Sequence, residues 1–155
     1  MRKNMNDSGY HYTECGLENI YLTNGFKLIN TARGKAISIK DVDGLHKAIG
    51  LYLIKFKKDL SAPDIIFLRH ELLMSQKTLA QLLGVSEQSV HRWEKMKSTI
   101  PKPSELLLRL IYREHVHNKD GEISRMLKEI ANLEDQLNNR DIFFKDTSKG
   151  WQAAS

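Results

Sequence analysis

Apolar residues recur at helical spacing in the segment from Ser75 to Glu94, on both sides of a short polar turn. Leu79, Leu82 and Leu83 fall on one face of a first helix. Gly84 follows the last of them and can adopt the positive φ that ends a helix cleanly. The pattern therefore predicts a short helix that stops at Gly84.

A second short helix is predicted directly after the turn. Ser86 is a good N-cap, and Val90 and Trp93 form an i, i+3 apolar pair that anchors this helix inward. We expect Trp93 in the core rather than as a stacking surface. The remaining side chains of this helix are polar and point mostly outward, where they could read base edges in the DNA major groove: Glu87, Gln88, Ser89, His91 and Arg92.

These five residues are not equally informative. Arg92 is the first candidate because Arg is the commonest reader of guanine, although a solvated surface role is the alternative. Gln88 and Ser89 could contact adenine or a phosphate. Glu87 could accept from cytosine or only favour the helix dipole, and His91 could reach DNA or only cover the helix surface.

The rest of the chain divides into β and helical patterns. Residues 9–40 alternate as strands, with turns at Asn24-Gly25 and Arg33-Gly34, and Asp41 or Asp43 then caps a helix to about residue 58. Helices are predicted after Pro63, over 104–116 and over 122–138, and residues 141–155 are expected to fray.

The predicted fold class is α+β, mainly α. A small β-meander of about three strands plus one helix occupies residues 1–60, a helix-turn-helix domain 61–117, and a C-terminal helix with a frayed tail 118–155. A meander, a bundle and a tail fit comfortably in 155 residues.

Composition narrows the function. The net charge of +5 suits a polyanion partner, and residues 1–60 and 61–117 carry +4 and +2 whereas residues 118–155 carry −1. Lys95, Lys97 and Lys102 cluster after the second motif helix, where a phosphate strand should pass. With a single cysteine, Cys15, and no catalytic motif, we expect a cytoplasmic protein that is not an enzyme and uses no metal or cofactor.

The motif also resembles a known family. Ser75-Gln76, Leu83-Gly84-Val85-Ser86 and Arg92-Trp93-Glu94 are similar to the phage-repressor-type helix-turn-helix family, whose DNA-binding unit is a bundle of about five helices. The resemblance implies that Gln76 lies beside a phosphate and that Gln88 and Arg92 point at bases. We expect Glu94 to hold a basic side chain or backbone group inside the domain. The family often has glycine shortly after this glutamate, where the present chain has Lys95-Met96-Lys97.

The whole layout resembles, more weakly, MqsA-type antitoxins and related zinc-finger regulators. In those proteins an N-terminal zinc unit can bind a toxin, but here Tyr12 replaces the first cysteine of the knuckle around Cys15, and no second pair exists. The leading hypothesis is a transcriptional regulator, a repressor that binds an inverted-repeat operator in double-stranded DNA as a homodimer. The alternatives are an autoregulating antitoxin with a toxin partner and a structural adaptor without an operator.

Overall fold

The computed structural model describes residues 9–118, 121–133 and 141–154. Helices dominate, and the strands are short. The mainly α, α+β class predicted from the sequence is confirmed. The elements, in chain order, are β1 Tyr10–His11, β2 Tyr21–Leu22, β3 Phe26–Thr31, β4 Gly34–Ile39, α1 Val42–Phe56, α2 Ala62–Glu71, α3 Gln76–Leu83, α4 Glu87–Glu94, α5 Lys102–His117, α6 Glu122–Ala131, β5 Phe144–Thr147 and β6 Gly150–Ala153.

The N-terminal strands form two separate antiparallel pairs, β1 with β2 and β3 with β4, and not the continuous meander expected from the sequence. Asn24-Gly25 links the two pairs instead of closing a hairpin between β2 and β3. Gly25 does adopt a positive φ of 77°, but its carbonyl accepts from the Lys40 N–H at 2.8 Å, so this turn closes the base of the β3–β4 hairpin.

The tail also differs from its prediction. Residues expected to fray form the β5–β6 hairpin, in which Phe144 lies opposite Ala153 and Thr147 opposite Gly150. Gly150 adopts a φ of 91°, which an L side chain rarely does, and the Thr147 hydroxyl donates to the Gly150 carbonyl at 2.8 Å. This turn therefore closes a hairpin in a segment that was expected to fray.

Five helices, α1 to α5, surround one hydrophobic core. Its most deeply buried side chains include Leu68, Leu79, Val90, Leu108 and Ile111, each 0% exposed. Four of the helices lie between residues 62 and 117, and α1 packs on α2 and α5 as the fifth. The bundle therefore recruits a helix that the sequence assigned to the N-terminal unit. The division of the chain at residue 60 stays a prediction.

Close approach of α1 and α5 depends on one glycine. Gly50 is buried on α1, and a Cβ built on it would lie 2.0 Å from the Tyr112 hydroxyl oxygen of α5. The Tyr112 ring therefore occupies the space that any larger residue at position 50 would need. Burial raises the pKa of Tyr112 to about 12.

A relay of three side chains joins the β1–β2 unit to the bundle. Tyr12 is buried, and its hydroxyl lies 2.8 Å from Nε2 of His46 on α1. The other ring nitrogen of His46 lies 2.8 Å from the carboxylate of Glu71 on α2. Where the resembled zinc knuckle has a cysteine, Tyr12 instead anchors the unit through this relay and through the core.

Helix α6 is tied to the end of α5 by Glu114. The carboxylate of Glu114 accepts from the backbone N–H groups of Ile123 and Ser124 at 3.0 and 3.2 Å, which satisfies two free donors of the first turn. Helix α6 ends at Ala131, short of the predicted residue 138. Residues 134–138 of that prediction lie outside the described residues.

Candidate nucleic-acid interface

Helices α3 and α4 are capped as the sequence predicts, and the caps set the turn between them. The Ser75 hydroxyl accepts from the Thr78 N–H at 3.0 Å to begin α3, and Gly84, with φ of 67°, ends it. The Ser86 hydroxyl then accepts from the Ser89 N–H at 3.1 Å to begin α4. With both ends of the turn fixed by hydrogen bonds, the orientation of α4 on α3 is well defined.

Helix α4 has a buried side and an open side. Val90 and Trp93 are 0% and 5% exposed and fix the helix in the core, as predicted. On the opposite side Glu87, Gln88 and Arg92 are exposed. None of these three side chains forms a hydrogen bond or ion pair with another residue of the described ranges. Their donors and acceptors are therefore free to contact a ligand.

Ser89 and His91 lie at the edges of this open side and are half-buried. The Ser89 hydroxyl is 2.9 Å from the Ser86 hydroxyl, so it takes part in the N-cap. A contact from Ser89 to DNA must therefore share this hydroxyl with the cap. His91 makes no hydrogen bond that would hold its ring away from the surface, within residues 9–118.

Gln76 and Glu94 belong to a partly buried polar network that connects α2, α3 and α4. Arg69 on α2 donates to both carboxylate oxygens of Glu94, through Nε at 2.6 Å and Nη2 at 3.1 Å. The Gln76 amide nitrogen donates to the same carboxylate at 2.6 Å. The expectation that Glu94 holds a basic side chain inside the domain fits this geometry, and the bidentate pairing fixes its orientation.

The network also determines the ionisation of Glu94. Burial opposes the charged form, but the hydrogen bonds from Arg69 and Gln76 outweigh it, and the pKa of Glu94 lies below its ordinary value. The carboxylate therefore stays ionised at neutral pH and keeps both donors in place. Gln76 is half-buried and donates one amide N–H to this carboxylate, which leaves the second N–H of the same amide to donate to a phosphate.

The sequence did not indicate that Arg69 positions α4. Arg69 also donates to the Met74 carbonyl at 3.0 Å, so it joins the end of α2 to the start of α3 as well as to α4. Its partner Glu94 is 25 residues away along the chain, so no local pattern could pair them. An arginine at the end of a predicted buried helix was the only available signal.

The end of α4 shows how the chain replaces the glycine of the resembled family. Met96 adopts a φ of 57°, the left-handed conformation that favours glycine. The Lys97 N–H donates to the Arg92 carbonyl at 2.9 Å and the Met96 N–H to the Trp93 carbonyl at 3.2 Å. These two bonds form a Schellman motif, so the chain turns as glycine would allow, at the cost of backbone strain.

The three candidate lysines after α4 differ in their surroundings. Lys95 and Lys97 are exposed next to this turn and have no ion-pair partner among residues 9–118. Lys102 lies at the start of α5, where its ammonium donates to Glu105 at 2.5 Å and to Asp59 at 3.3 Å. Lys95 and Lys97 can therefore neutralise phosphates directly, whereas Lys102 is already paired with two carboxylates. The DNA contacts of all three stay predictions.

Other sites were considered on the same residues. Across the described parts of the chain, no three His, Cys, Asp or Glu residues are placed to hold a metal ion. No helix in these ranges combines the length and the apolar character that a membrane span requires. The toxin-binding role implied by the weaker resemblance stays a prediction.

Residues 65–108 match the family model described as helix-turn-helix, which runs from α2 into α5 and includes α3, its turn and α4. This match confirms the resemblance to the phage-repressor type, a family of DNA-binding regulatory domains and not of enzymes. Residues 65–108 therefore form a helix-turn-helix domain of the kind that DNA-binding transcriptional regulators contain. No curated protein and no solved structure matches the chain significantly.

Proposed function

We propose that the protein is a repressor that binds an inverted-repeat operator in double-stranded DNA as a homodimer. The observation that carries this proposal is the open side of α4, where Gln88 and Arg92 are exposed and unpaired within the described ranges while the opposite side is locked in the core. A recognition helix of this kind reads base edges when it enters the major groove.

Each candidate residue has a role in this proposal. Arg92 pairs with guanine O6 and N7, and Gln88 with adenine N6 and N7. Contacts that position the protein come from Gln76 near the start of α3 and from Lys95 and Lys97 after α4. Glu87, Ser89, His91 and Lys102 are secondary contacts at the edge of the same surface.

The proposed dimer follows from energetics and from unpartnered apolar surface. One recognition helix contacts only a few base pairs, so two half-sites are needed for a selective operator. Leu106 and Leu110 on α5 are 52% and 49% exposed, and Met126 and Ile130 on α6 are 60% and 50% exposed. These helices support a surface for a second copy of the chain, where burial of the apolar side chains would stabilise the pair.

Selection of bound sequences from a random duplex library tests this function. The expected result is a motif with two related half-sites whose centres are about 10 bp apart, one helical turn, as a two-fold dimer requires. The purified full-length chain should also sediment as a dimer on the selected duplex. A library with no enriched motif, at moderate salt and with folded protein, would contradict the proposal.

A further inference from the structure

The β3–β4 hairpin concentrates positive charge away from the helix-turn-helix. Residues 26–40 contain four basic residues and no Asp or Glu: Lys27, Arg33, Lys35 and Lys40. All four are exposed, and none of their side chains forms an ion pair or hydrogen bond with another described residue. These four cations equal the whole net charge of +4 of residues 1–60, since the other basic and acidic residues of that segment cancel.

The hairpin is a regular ribbon with an anchored base and a free tip. Its six cross-strand pairs run from Phe26 opposite Ile39 to Thr31 opposite Gly34. Phe26, Ile37 and Ile39 pack against the core, and the Phe26 ring lies 5.4 Å from that of Tyr10. The ribbon is therefore held at its base. Its basic side chains project from strands that are already paired, so binding of a partner does not have to order the backbone.

The β5–β6 hairpin provides a comparison within the same chain. Its turn matches that of β3–β4, since a threonine hydroxyl donates to the glycine carbonyl three residues later at 2.7 Å for Thr31 and 2.8 Å for Thr147. Its charges nevertheless cancel, because residues 141–154 contain two basic and two acidic residues. The turn chemistry does not require the positive charge, so the charge of β3–β4 is a separate feature.

We propose that the β3–β4 hairpin is a second DNA-binding element that contacts the phosphate backbone of the duplex bound by α4. This inference rests on the proposed function, which it extends. A two-stranded ribbon fits against a DNA groove, and lysines act as point charges toward phosphates whatever the base sequence.

The placement of charge favours a polynucleotide over an acidic protein. Lys27 lies opposite Ser38 on one face of the ribbon, whereas Lys35 lies opposite Asn30 on the other, and Arg33 is in the turn. The face of Lys35 packs on the core at its base through Phe26, Ile37 and Ile39, so the cations are spread along the other face and around the tip. A linear array of phosphates matches such a spread of point charges. Lys27 and Lys40 also line one hollow with Ser38 at the base, which provides two cationic groups and a hydroxyl for a phosphate.

The test compares the double variants Arg33→Gln/Lys35→Gln and Lys145→Gln/Lys149→Gln in the full-length protein. Dissociation constants are measured against salt on the selected operator and on a random-sequence duplex. If both tip residues contact phosphates, the β3–β4 variant lowers the log–log salt slope by about 1.8 on both duplexes, or about tenfold less loss of affinity over a fourfold rise in salt. The β5–β6 variant, which removes the same formal charge, keeps the wild-type slope.

Two outcomes overturn the inference. If the slope of the β3–β4 variant equals that of wild type, or if both double variants lower it equally, the hairpin is not a specific backbone contact. An unchanged thermal midpoint establishes that each variant is folded, and Lys27→Gln/Lys40→Gln repeats the test at the base. Failure of the proposed function gives a different result. The selection from the random duplex library would then enrich no motif, although the β3–β4 variant would still have a lower salt slope than wild type on the random-sequence duplex.

Discussion

The two sides of α4 use polar chemistry in opposite ways. On the inward side the Glu94 side chain is only 6% exposed and accepts three hydrogen bonds from Arg69 and Gln76. On the outward side Gln88 and Arg92 have full capacity and no partner among residues 9–118. The difference indicates that one eight-residue helix separates the task of holding its position from the task of contacting DNA.

The largest effect on stability should come from removing the ion pair on the inward side of α4. Glu94→Ala leaves the half-buried Arg69 without its carboxylate, and we expect the free energy of unfolding to fall by about 2–4 kcal/mol, somewhat less than for a fully buried pair. Urea denaturation measures the change. The matched control is Glu87→Ala on the open side, which should cost less than about 1 kcal/mol because only a helix-dipole interaction is lost. Equal losses in the two variants would remove the proposed distinction.

Replacing an exposed side chain on the outward side of α4 should weaken DNA binding and leave the free energy of unfolding nearly unchanged. Arg92→Ala is expected to weaken specific binding by about 1–3 kcal/mol and to relax the preference at one base position. Titration of the selected operator and of its single-base variants measures both effects. Arg125→Ala, an exposed arginine on α6, serves as the control. Wild-type affinity in a folded Arg92→Ala protein would exclude Arg92 as a base contact.

Lowering the pH should also test the role of the inward side of α4, because Glu94 is ionised there. Because the pKa of Glu94 lies below its ordinary value in the folded protein, its contribution to stability is complete above the ordinary glutamate pKa of about 4.3 and is lost as the pH falls through the lower folded value. Glu94→Gln cannot titrate, so its stability should fall less steeply than that of wild type below that pH. Glu105, whose pKa is also lowered, is common to both proteins and cancels in the comparison. Parallel stability curves would contradict the role of the ionised carboxylate.

Charge after α4 should matter for every DNA sequence alike. Lys97→Gln is expected to lower the salt slope of binding by about 0.9, the contribution of one phosphate contact. Lys102→Gln is an instructive companion. Since its ammonium already donates to Glu105 and Asp59, we expect a smaller change in slope. A slope for Lys97→Gln equal to that of wild type would remove this lysine from the interface.

The smallest effect concerns the turn that ends α4. Met96→Gly relieves the left-handed strain but increases the freedom of the unfolded chain, so we expect a net gain of no more than about 1 kcal/mol. Leu73, with a φ of 55° after α2, is a control with the same backbone conformation away from α4. Differential scanning calorimetry of both glycine variants measures the gain. A clear loss of stability in Met96→Gly would show that the methionine side chain contributes more than the strain costs.

Local signals predicted the motif well. The caps at Ser86 and Gly84 and the inward positions of Val90 and Trp93 depend on residues within one or two turns, so the sequence contains all the information they need. The family match over 65–108 then confirmed the type of domain.

Long-range pairing could not be predicted in the same way. Gln76 donates to Glu94, which is 18 residues away, and no local pattern pairs the two. Lys102 donates to Asp59, which is 43 residues away, and also to Glu105 at i+3, a pair that lies within reach of a local pattern. The predicted continuous meander was wrong for a related reason, since a turn signal at Asn24-Gly25 does not specify which strands it connects. The contacts with Glu94 and Asp59 and the strand pairing are selected by the three-dimensional packing, whereas the DNA contacts of Gln76 and Lys102 stay predictions.

The missing side chain at Gly50 has a consequence for how this sequence can diverge. Because the Tyr112 ring fills the place of its Cβ, a mutation that adds even a methyl group at position 50 is tolerated only if position 112 becomes smaller. Descendants of this chain should therefore gain a side chain at position 50 only together with, or after, a smaller residue at position 112. The relative distance of α1 and α5 would then be inherited even as the surface residues change.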